Sequence, residues 1–358
     1  MKKTKVIALY LPQYHRIKEN DEWWGEGFTE WTNVKKAKPL YENHLQPRVP
    51  LNNNYYDLSD KNVLLEHMIL ASEYGIDGFC FYHYWFNGKK LLEKPIERLL
   101  NENKIPLPFM LCWANEPWTR TWDGDNGAKE ILMSQNYGDM KDWTEHFLYL
   151  LDFFKRDEYI KIDNRPVIAI YNSCEITQRY EMFKYWNKLA KENGFDKGIY
   201  IIHTHRLPIK TEYPYYGSAV YDFEPYATLL RISDKQREKI EIVREGKDRE
   251  YRVLDYDKFC EHMVNNYSFT STQHCLGFFV GWDNSPRIGN RVKIIFEGNT
   301  PDKVEKYFTE QYRKSILLNN DFLFINAWNE WGEGAFLDPD EKYGLGYLEA
   351  IKRGKNTV

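Results

Sequence analysis

Residues 322–338 read FLFINAWNEWGEGAFLD. The apolar run 322–325 stops at Asn326, and two tryptophans, two glutamates and two glycines follow within residues 328–334. This pattern predicts a buried strand that ends in a polar, aromatic turn. Ionised glutamates are rarely buried without a partner, so Glu330 and Glu333 are better candidates for acid and base catalysis than for packing. The alternative is that both residues open the next helix, because helix N-termini favour acidic side chains.

The same pattern, an apolar run followed by polar residues, recurs along the chain. Besides 322–325, the predicted strands are residues 6–11, 78–82, 109–113, 167–171, 200–202, 219–223 and 278–280. Helical patterns lie between most of them, at residues 60–73, 92–103, 140–155, 176–193, 257–266, 301–318 and 342–353. This alternation predicts an α/β fold, a (β/α)8 TIM barrel with its active site at the carboxyl ends of the strands. The competing doubly wound sheet usually begins with a glycine-rich turn, which this chain lacks.

We expect one catalytic domain over residues 1–358 with two long excursions. Residues 19–54 have little regular pattern and contain WWGEGFTEW, which predicts a functional loop over the barrel mouth. Residues 231–252 are densely charged and predict a helical insertion, a solvated surface helix rather than a lid or a partner-docking arm. Residues 205–217 contain two prolines and no clear periodicity, so the fifth βα unit is expected to be irregular.

The composition limits the partners of the protein. A net charge of -4 argues against nucleic acid, and an aromatic content of 16% suits stacking on sugar rings as well as a large core. No apolar run approaches the length of a transmembrane segment. The first apolar run breaks at Pro12, too early for a signal peptide, so we expect a cytoplasmic protein. The five cysteines form no CxxC pair and are expected to be reduced.

Polar and aromatic residues at two other strand ends are candidates for substrate binding. Asn115 and Glu116 follow the third strand and could bind sugar hydroxyls, with Glu116 as a spare catalytic candidate. Their alternative role is a strand-end turn fixed by Pro117. Tyr82, His83 and Trp85 end the second strand, where the histidine could be structural or catalytic.

The remaining candidates for substrate contact lie at other strand ends or in the mouth loop, and each could instead belong to the core. They are Tyr10, Trp31, Trp113, Asp222, Glu224, Trp282, Asn329 and Trp331. The D-x-D triplet at residues 123–125 has the form that holds a metal and a nucleotide in many glycosyltransferases, but no nucleotide-binding domain surrounds it. No zinc-type His and Cys spacing is present, so we predict neither a metal nor a cofactor.

Five motifs in the same order resemble the WbsX-type family of bacterial polysaccharide-biosynthesis proteins. They are ALYLPQYH at 8–15, NDEWWGEGFTEWTNV at 20–34, GFCFYHYW at 78–85, CWANEPWTRTWDG at 112–124 and NAWNEWGEGAFLD at 326–338. That family is similar to glycoside hydrolase family 99, whose endo-acting α-mannosidases and mannanases are retaining (β/α)8 barrels. Their catalytic pair lies in a Glu-Trp-His-Glu segment. Residues 330–333 resemble it with Gly332 in place of histidine, a departure that bears on the mannose preference.

The resemblance implies that Glu333 is the general acid/base on the glycosidic oxygen. Glu330 would take the proton from the 2-hydroxyl of the sugar, whose oxygen attacks the anomeric carbon to give a 1,2-anhydro intermediate. Ordinary retaining enzymes instead place an acid and a nucleophile about 5 Å apart across the anomeric centre. Attack by O2 needs only two proton-handling groups near adjacent ring atoms, which one loop can supply.

We therefore predict an enzyme that cleaves or transfers at a glycosidic bond with retention. Its substrate would be an oligosaccharide or polysaccharide of the cell surface, such as lipopolysaccharide O-antigen or capsule. One alternative is a glycosyltransferase with an activated or lipid-linked donor. Another is a non-catalytic glycan-binding barrel, against which the two intact carboxylates argue.

Overall fold

A computed structural model describes residues 4–120, 130–206, 218–265 and 274–358. Its central feature is a ring of eight strands, which confirms the predicted (β/α)8 barrel. The strands are β1 Lys5–Tyr10, β2 Gly78–Phe86, β3 Phe109–Trp113, β4 Arg165–Ile170, β5 Tyr200–His205, β6 Ala219–Asp222, β7 His274–Phe279 and β8 Phe322–Asn326.

The ring closes because β1 pairs with both its sequence neighbour and the last strand. All eight contacts between adjacent strands are parallel, and Ala8 of β1 lies opposite Phe79 of β2 on one side and Ile325 of β8 on the other. Tyr221 and Phe324 belong to strands that are not neighbours, yet their ring centroids are 4.2 Å apart. Side chains therefore fill the barrel interior, as expected for this fold.

Helices connect the strands along most of the chain. They are α1 Lys18–Trp24, α2 Glu30–Lys36, α3 Lys61–Glu73, α4 Lys94–Arg98, α5 Met140–Phe154, α6 Arg179–Glu192, α7 Tyr226–Leu229, α8 Asp234–Ile240, α9 Tyr256–Asn265, α10 Ser285–Ile288, α11 Pro301–Leu317 and α12 Gly346–Asn356. Short polar side chains cap the N-termini of several helices by accepting a hydrogen bond from a backbone N–H of the first turn. Asp60 caps α3, Asp139 caps α5 and Thr300 caps α11.

The excursion at residues 19–54 is more regular than the sequence predicts. It contains α1, α2 and a short 3₁₀ turn, Leu51–Asn53. Trp31 of α2 packs on Trp331 in the segment after β8, with ring centroids 5.4 Å apart. The excursion thus lies against the carboxyl ends of the strands, where the active site of such a barrel is expected.

The helical prediction for residues 231–252 is wrong over its second half. Only α8 is helical, and the chain then forms an antiparallel hairpin, Glu241–Glu245 with Glu250–Asp255, whose second strand also pairs with Phe296–Glu297. Tyr251 and Val253 are buried while Arg252 between them is exposed. An alternation with a period of two is typical of a strand. The many charged residues of this segment hide that alternation in the sequence.

Two expectations fall outside the described residues. The D-x-D triplet at 123–125 lies there, and so does most of the fifth connection, 207–217. The single-domain organisation of residues 1–358 stays a prediction. Across the four described ranges, none of the helices combines the length and the apolarity needed to span a bilayer.

Candidate active site

A cavity of about 300 Å³ opens at the carboxyl ends of the barrel strands. The lining side chains come from the carboxyl-terminal half of β2, from the segments after β1, β3, β4, β7 and β8, and from α1. They include Gln13, Trp24, Tyr82, Tyr84, Glu116, Trp118, Tyr171, Arg287, Glu330 and Glu333. The cavity therefore combines aromatic faces with charged groups, as expected for a site that binds polar ring compounds.

The turn after β8 fixes the positions of Glu330 and Glu333. Asn329–Glu330 pairs with Ala335–Phe336, and a 3₁₀ turn, Trp331–Glu333, joins them. Gly334 closes the turn with a φ of 63°, a left-handed conformation that suits glycine. The backbone N–H of Asp283 donates a hydrogen bond of 2.6 Å to the Glu333 carbonyl. Both carboxylates are thus presented to the cavity from a rigid support.

Arg287 of α10 connects three carboxylates. Its Nε lies 2.9 Å from Oε1 of Glu30, its Nη2 lies 2.8 Å from Oε2 of Glu330, and its Nη1 contacts Oε1 of Glu333. The side chain of Glu30 is fully buried, that of Glu330 is 6% exposed and that of Glu333 is 21% exposed. One guanidinium cannot neutralise three ionised carboxylates, so the cluster favours binding a proton.

The proton affinity of the two cavity carboxylates, Glu330 and Glu333, follows from their burial. Burial raises the pKa of Glu330 to about 8; the Arg287 charge opposes the rise, and the charges of Glu333 and Glu30 add to it. Burial also raises the pKa of Glu333, again against the effect of Arg287. Interacting carboxylates of this kind titrate as a pair. Near neutral pH the pair therefore carries a proton, while Glu333 is the member more open to the cavity.

The space beside Gly332 explains why glycine occupies that position. A β-carbon at Gly332 would lie 1.8 Å from Oε1 of Glu30 and 2.9 Å from Nε of Arg287. The ion pair of Glu30 and Arg287 thus occupies the volume that a side chain at position 332 would need. A histidine at this position, as in the Glu-Trp-His-Glu segment, would clash with the same two groups.

Replacing Gly332 by alanine should therefore lower both stability and activity. Overpacking of a buried site costs about 1–3 kcal/mol, and here the displaced groups position both cavity carboxylates. We expect Gly332→Ala to lower the free energy of urea unfolding by that amount. In a Glu30→Ala background the same change should cost much less, because the clashing carboxylate is gone. An equal cost in both backgrounds would contradict this explanation.

Glu116 forms a second polar group in the cavity. Its Oε1 accepts a hydrogen bond of 2.8 Å from Nδ2 of Asn172 and contacts Nη2 of Arg206. The Arg206 guanidinium lies 4.2 Å from the ring centroid of Tyr171. Asn115 does not line the cavity in the described part of the chain; its amide bonds the Asn172 backbone at 2.7 and 2.8 Å. Asn115 therefore positions the loop that carries Glu116.

The residues of β2 divide between the two faces of the strand. Tyr82 lines the cavity, whereas His83 and Trp85 pack on the opposite side against His146 of α5. Trp113 also packs on His146, with its Nε1 donating to the Trp85 carbonyl. Burial lowers the pKa of His83 to about 3. These three predicted contacts are thus core residues, because neighbours along a strand face opposite sides.

Asp222 and Glu224 are also not among the described residues that line the cavity. Oδ1 of Asp222 accepts hydrogen bonds from His205 at 3.0 Å and His274 at 2.8 Å, and it also contacts Arg231. Burial pushes the pKa of Asp222 upward, but the hydrogen bonds from both histidines outweigh it and lower the pKa.

The side chains of His205, Asp222 and His274 lie close enough together to hold a metal ion. The Arg231 guanidinium on the same carboxylate already supplies a cation, so a metal is not needed to balance its charge. Glu224 instead accepts hydrogen bonds from the backbone and hydroxyl of Thr228. The prediction that the protein needs no metal stays a prediction.

Two of the other predicted contacts form the frame beneath the site. The hydroxyl of Tyr10 lies 2.9 Å from Nδ1 of His67 in the buried core. The Asn329 amide bonds both backbone groups of Leu11, which ties the turn after β8 to the end of β1. Neither side chain lines the cavity among the described residues.

Three predicted tryptophans are likewise packing residues. Trp331 stacks on Phe336 with ring centroids 3.8 Å apart, and its Nε1 donates to Asp338 at 3.0 Å. Trp31 packs on the other side of Trp331, and Trp282 contacts the ring of Tyr226 edge to face. Trp331 and Trp31 pack around the turn, and none of these three tryptophans is among the described residues that line the cavity.

The sequence analysis missed several cavity residues and one buried partner. Arg287, Tyr84, Tyr171 and Trp24 line the cavity, and Glu30 binds Arg287. Tyr84 could have been found from the alternation that starts at Tyr82. Glu30 lies within the quoted WWGEGFTEW motif, but the motif gives no sign of its distant arginine.

The chain matches the model of the family described as Glycosyltransferase WbsX over residues 6–351. It is 34% identical over 352 residues to the protein WxcX of Xanthomonas campestris pv. campestris, an alignment that covers 97% of this chain and 49% of WxcX. The chain thus spans about half the length of the curated relatives it matches.

Solved structures show the same fold at low sequence identity. A glycoside hydrolase-like protein superposes with a TM-score of 0.63 and 13% identity, covering 99% of this chain and 94% of the other. A glycoside hydrolase family 99 endo-α-mannosidase from Bacteroides thetaiotaomicron gives a TM-score of 0.57 and 13% identity, covering 100% and 98%. The fold alone follows from these two structures, but the family match extends over nearly the whole sequence: the chain belongs to the WbsX glycosyltransferase family.

Proposed function

We propose that the chain is a carbohydrate-active enzyme that breaks or transfers a glycosidic bond with retention. The observation that supports this most is the bridging of two cavity carboxylates, Glu330 and Glu333, by Arg287. Their raised pKa values suit proton transfer near neutral pH. The aromatic walls, Tyr82, Tyr84 and Trp118, offer faces on which a sugar ring can stack.

In the reactive protonation state the single proton of the pair lies on Glu333, and Glu330 is the carboxylate that takes the proton of the 2-hydroxyl group in the first step. O2 attacks the anomeric carbon while the bond to the leaving oxygen breaks, and that oxygen takes the proton of Glu333. In the second step Glu333 takes a proton from water or an acceptor hydroxyl, whose oxygen attacks the anomeric carbon. The bond to O2 opens, and O2 recovers its proton from Glu330. Two inversions give net retention.

Arg287 contacts the carboxylate that is ionised at each stage of this cycle. Before the first step the charge lies on Glu330, and after it the charge lies on Glu333, while one proton moves the other way. Because its Nη2 and Nη1 reach one carboxylate each, the guanidinium stays paired throughout. A paired cation avoids the high cost of an isolated buried charge in either state.

The likeness of residues 330–333 to the family 99 segment supports the assignment of Glu333 as acid/base and Glu330 as the base for O2. We further propose a cytoplasmic role in the metabolism of a cell-surface polysaccharide, such as O-antigen or capsule. The family to which the chain belongs favours a second candidate, transfer from an activated or lipid-linked donor. The same two carboxylates would then serve an acceptor hydroxyl in place of water.

Proton NMR of the anomeric region, followed in time, tests these candidates. Wild-type protein is mixed with α-mannosides and related oligosaccharides, with and without acceptor sugars. A new hemiacetal that appears first in the retained configuration supports the hydrolase, and product that requires an acceptor supports the transferase. Inverted product would overturn the retaining mechanism. Binding without turnover in every mixture would favour a glycan-binding barrel.

The pH dependence of the reaction should have an unusually alkaline upper limb. Turnover requires one proton on the pair, so it falls when both carboxylates are protonated and when both are ionised. Because burial raises the pKa values of both Glu330 and Glu333, the pair loses its last proton at a higher pH than an ordinary glutamate, so we expect kcat/KM to decline only on the alkaline side of neutrality. A profile of kcat/KM from pH 4 to 10 measures this. A decline complete by pH 6 would contradict the raised pKa.

A further inference from the structure

A second cavity lies behind the turn that carries Glu333. It has a volume of about 500 Å³, and we call it the hairpin cavity because the strand Glu241–Glu245 forms one wall. Residues 41–48 of the mouth excursion form another wall, and Asp283, whose N–H bonds the Glu333 carbonyl, lies between the two cavities. A separate small core, Tyr41, Tyr251, Val253, Val292 and Ile295, supports these walls.

Several of the charged groups in the hairpin cavity are already paired. Oδ2 of Asp283 accepts hydrogen bonds from His44 at 2.9 Å and from Gln46 at 2.6 Å. Arg244 donates from two nitrogens to Oε2 of Glu297, at 3.0 and 2.6 Å. These groups satisfy one another and build the walls, so they do not call for a ligand.

Arg48 differs from these groups because it has no direct partner of this kind. It is only 9% exposed and lines the hairpin cavity. Its Nε is buried without a hydrogen-bond partner, and among the described residues no carboxylate oxygen lies within 4.0 Å of the guanidinium. Its close neighbour is the ring of Phe336, 5.7 Å from Cζ to centroid. The charges of Asp283 and Asp340 act on Arg48 from a distance, but no carboxylate among the described residues contacts its guanidinium directly.

The nearby acidic groups do not fill this role. Asp283 is engaged as described above, and Oδ1 of Asp340 accepts a hydrogen bond of 2.7 Å from the backbone N–H of Tyr343. Glu42 and Glu245 also line the cavity, but both are exposed to solvent at its rim. The Nε of Arg48 therefore keeps its hydrogen-bond donor available to a ligand in the cavity.

We propose that the hairpin cavity binds the oxyanion of an acidic saccharide, with Arg48 as its principal ligand. The planar guanidinium can donate two parallel hydrogen bonds to a carboxylate or a phosphate ester. Tyr41 stacks on His44 with ring centroids 4.5 Å apart, and Tyr343 lines the cavity as well. These rings give the sugar an aromatic wall beside its anionic group. This inference does not depend on the proposed function.

Titration calorimetry on the full wild-type chain tests the proposal, with glucuronate, glucose 6-phosphate, glucose and inorganic phosphate as probes. We expect glucuronate or glucose 6-phosphate to bind at least tenfold more tightly than glucose. The tighter of the two identifies the anion as a carboxylate or a phosphate ester. Equal binding of glucose would overturn the proposal, and so would binding of inorganic phosphate without either acidic sugar, which would indicate an ion site only.

Arg48→Met provides the matching variant, and Arg252→Met provides its control. Arg252 lies in the same hairpin, with a side chain that is 71% exposed and paired to Glu241. Arg48→Met should weaken binding of the acidic sugar at least tenfold, whereas Arg252→Met should not change it.

Thermal unfolding without ligand provides a second readout. The Tm of Arg48→Met should stay close to that of wild type, because no described carboxylate makes a direct ion pair with the guanidinium. Unchanged sugar binding in Arg48→Met, or a Tm well below that of Arg252→Met, would overturn the role of Arg48.

Discussion

Replacing Glu333 by glutamine should reduce turnover by about 10²–10⁴-fold on any glycoside that the wild-type protein processes. The amide has nearly the shape of the carboxylate and can still accept a hydrogen bond from Arg287, but it cannot donate a proton to the leaving oxygen. Substrate binding should change little, because the side chain keeps its place on the turn. Steady-state kinetics and equilibrium binding with the same glycoside measure the two effects separately.

The leaving group distinguishes Glu333 from Glu330. A 4-nitrophenyl leaving group needs little protonation, so Glu333→Gln should regain much of the first step with such a substrate. Glu330→Gln should not, because O2 still needs a base. Glu310→Gln, at an exposed pair with Arg313 on α11, is the control and should behave as wild type. If the 4-nitrophenyl substrate restored the first step in Glu330→Gln and not in Glu333→Gln, the roles of acid and base would have to be exchanged between the two residues.

The fold could be predicted because its signal is repeated. Eight apolar runs, each ending in polar residues, leave few alternatives to a closed parallel barrel. Errors arose where local composition hid the periodicity. The strand β7 begins at His274, four residues before the predicted start. The prediction missed its first residues because a histidine and a glycine interrupt the apolar run. The hairpin after α8 was missed since charged residues fill its exposed face.

The site could be predicted only where its residues are close in sequence. Glu330 and Glu333 lie on one turn, so their joint position follows from the turn itself. Arg287 meets Glu30, which is 257 positions away, and no local pattern marks either residue as the partner of the other. Several predicted contact residues, among them His83, Trp113 and Trp331, lie away from the cavity, because the sequence does not tell which face of a strand or turn points into the barrel mouth.

Replacing Arg287 by methionine should destabilise the protein by about 3–5 kcal/mol at neutral pH, the usual cost of removing one partner of a buried ion pair. The side chain is only 10% exposed, and its loss leaves Glu30, Glu330 and Glu333 without their common cation. Urea unfolding at pH 7 measures the loss. Arg313→Met, which breaks an exposed pair, should change stability by less than about 1 kcal/mol.

The destabilisation of Arg287→Met should grow as the pH rises. Arg287 lowers the pKa values of Glu330 and Glu333, so its removal raises both further above the values in the unfolded chain. A group whose pKa is raised by folding binds more protons in the native state, and stability then falls as pH rises through that range. The difference between variant and wild type should therefore be small near pH 5 and largest above pH 8. An equal difference at both pH values would mean that Arg287 acts by packing alone.

A double variant separates charge from shape at this cluster. Glu30→Gln removes one of the three carboxyl groups that share Arg287 and keeps the volume of the side chain, so fewer acidic groups depend on the one cation. In the Glu30→Gln background, Arg287→Met should cost clearly less than in wild type, an interaction energy that a double-mutant cycle measures directly. Strict additivity would show that the guanidinium and Glu30 act independently, despite their contact at 2.9 Å.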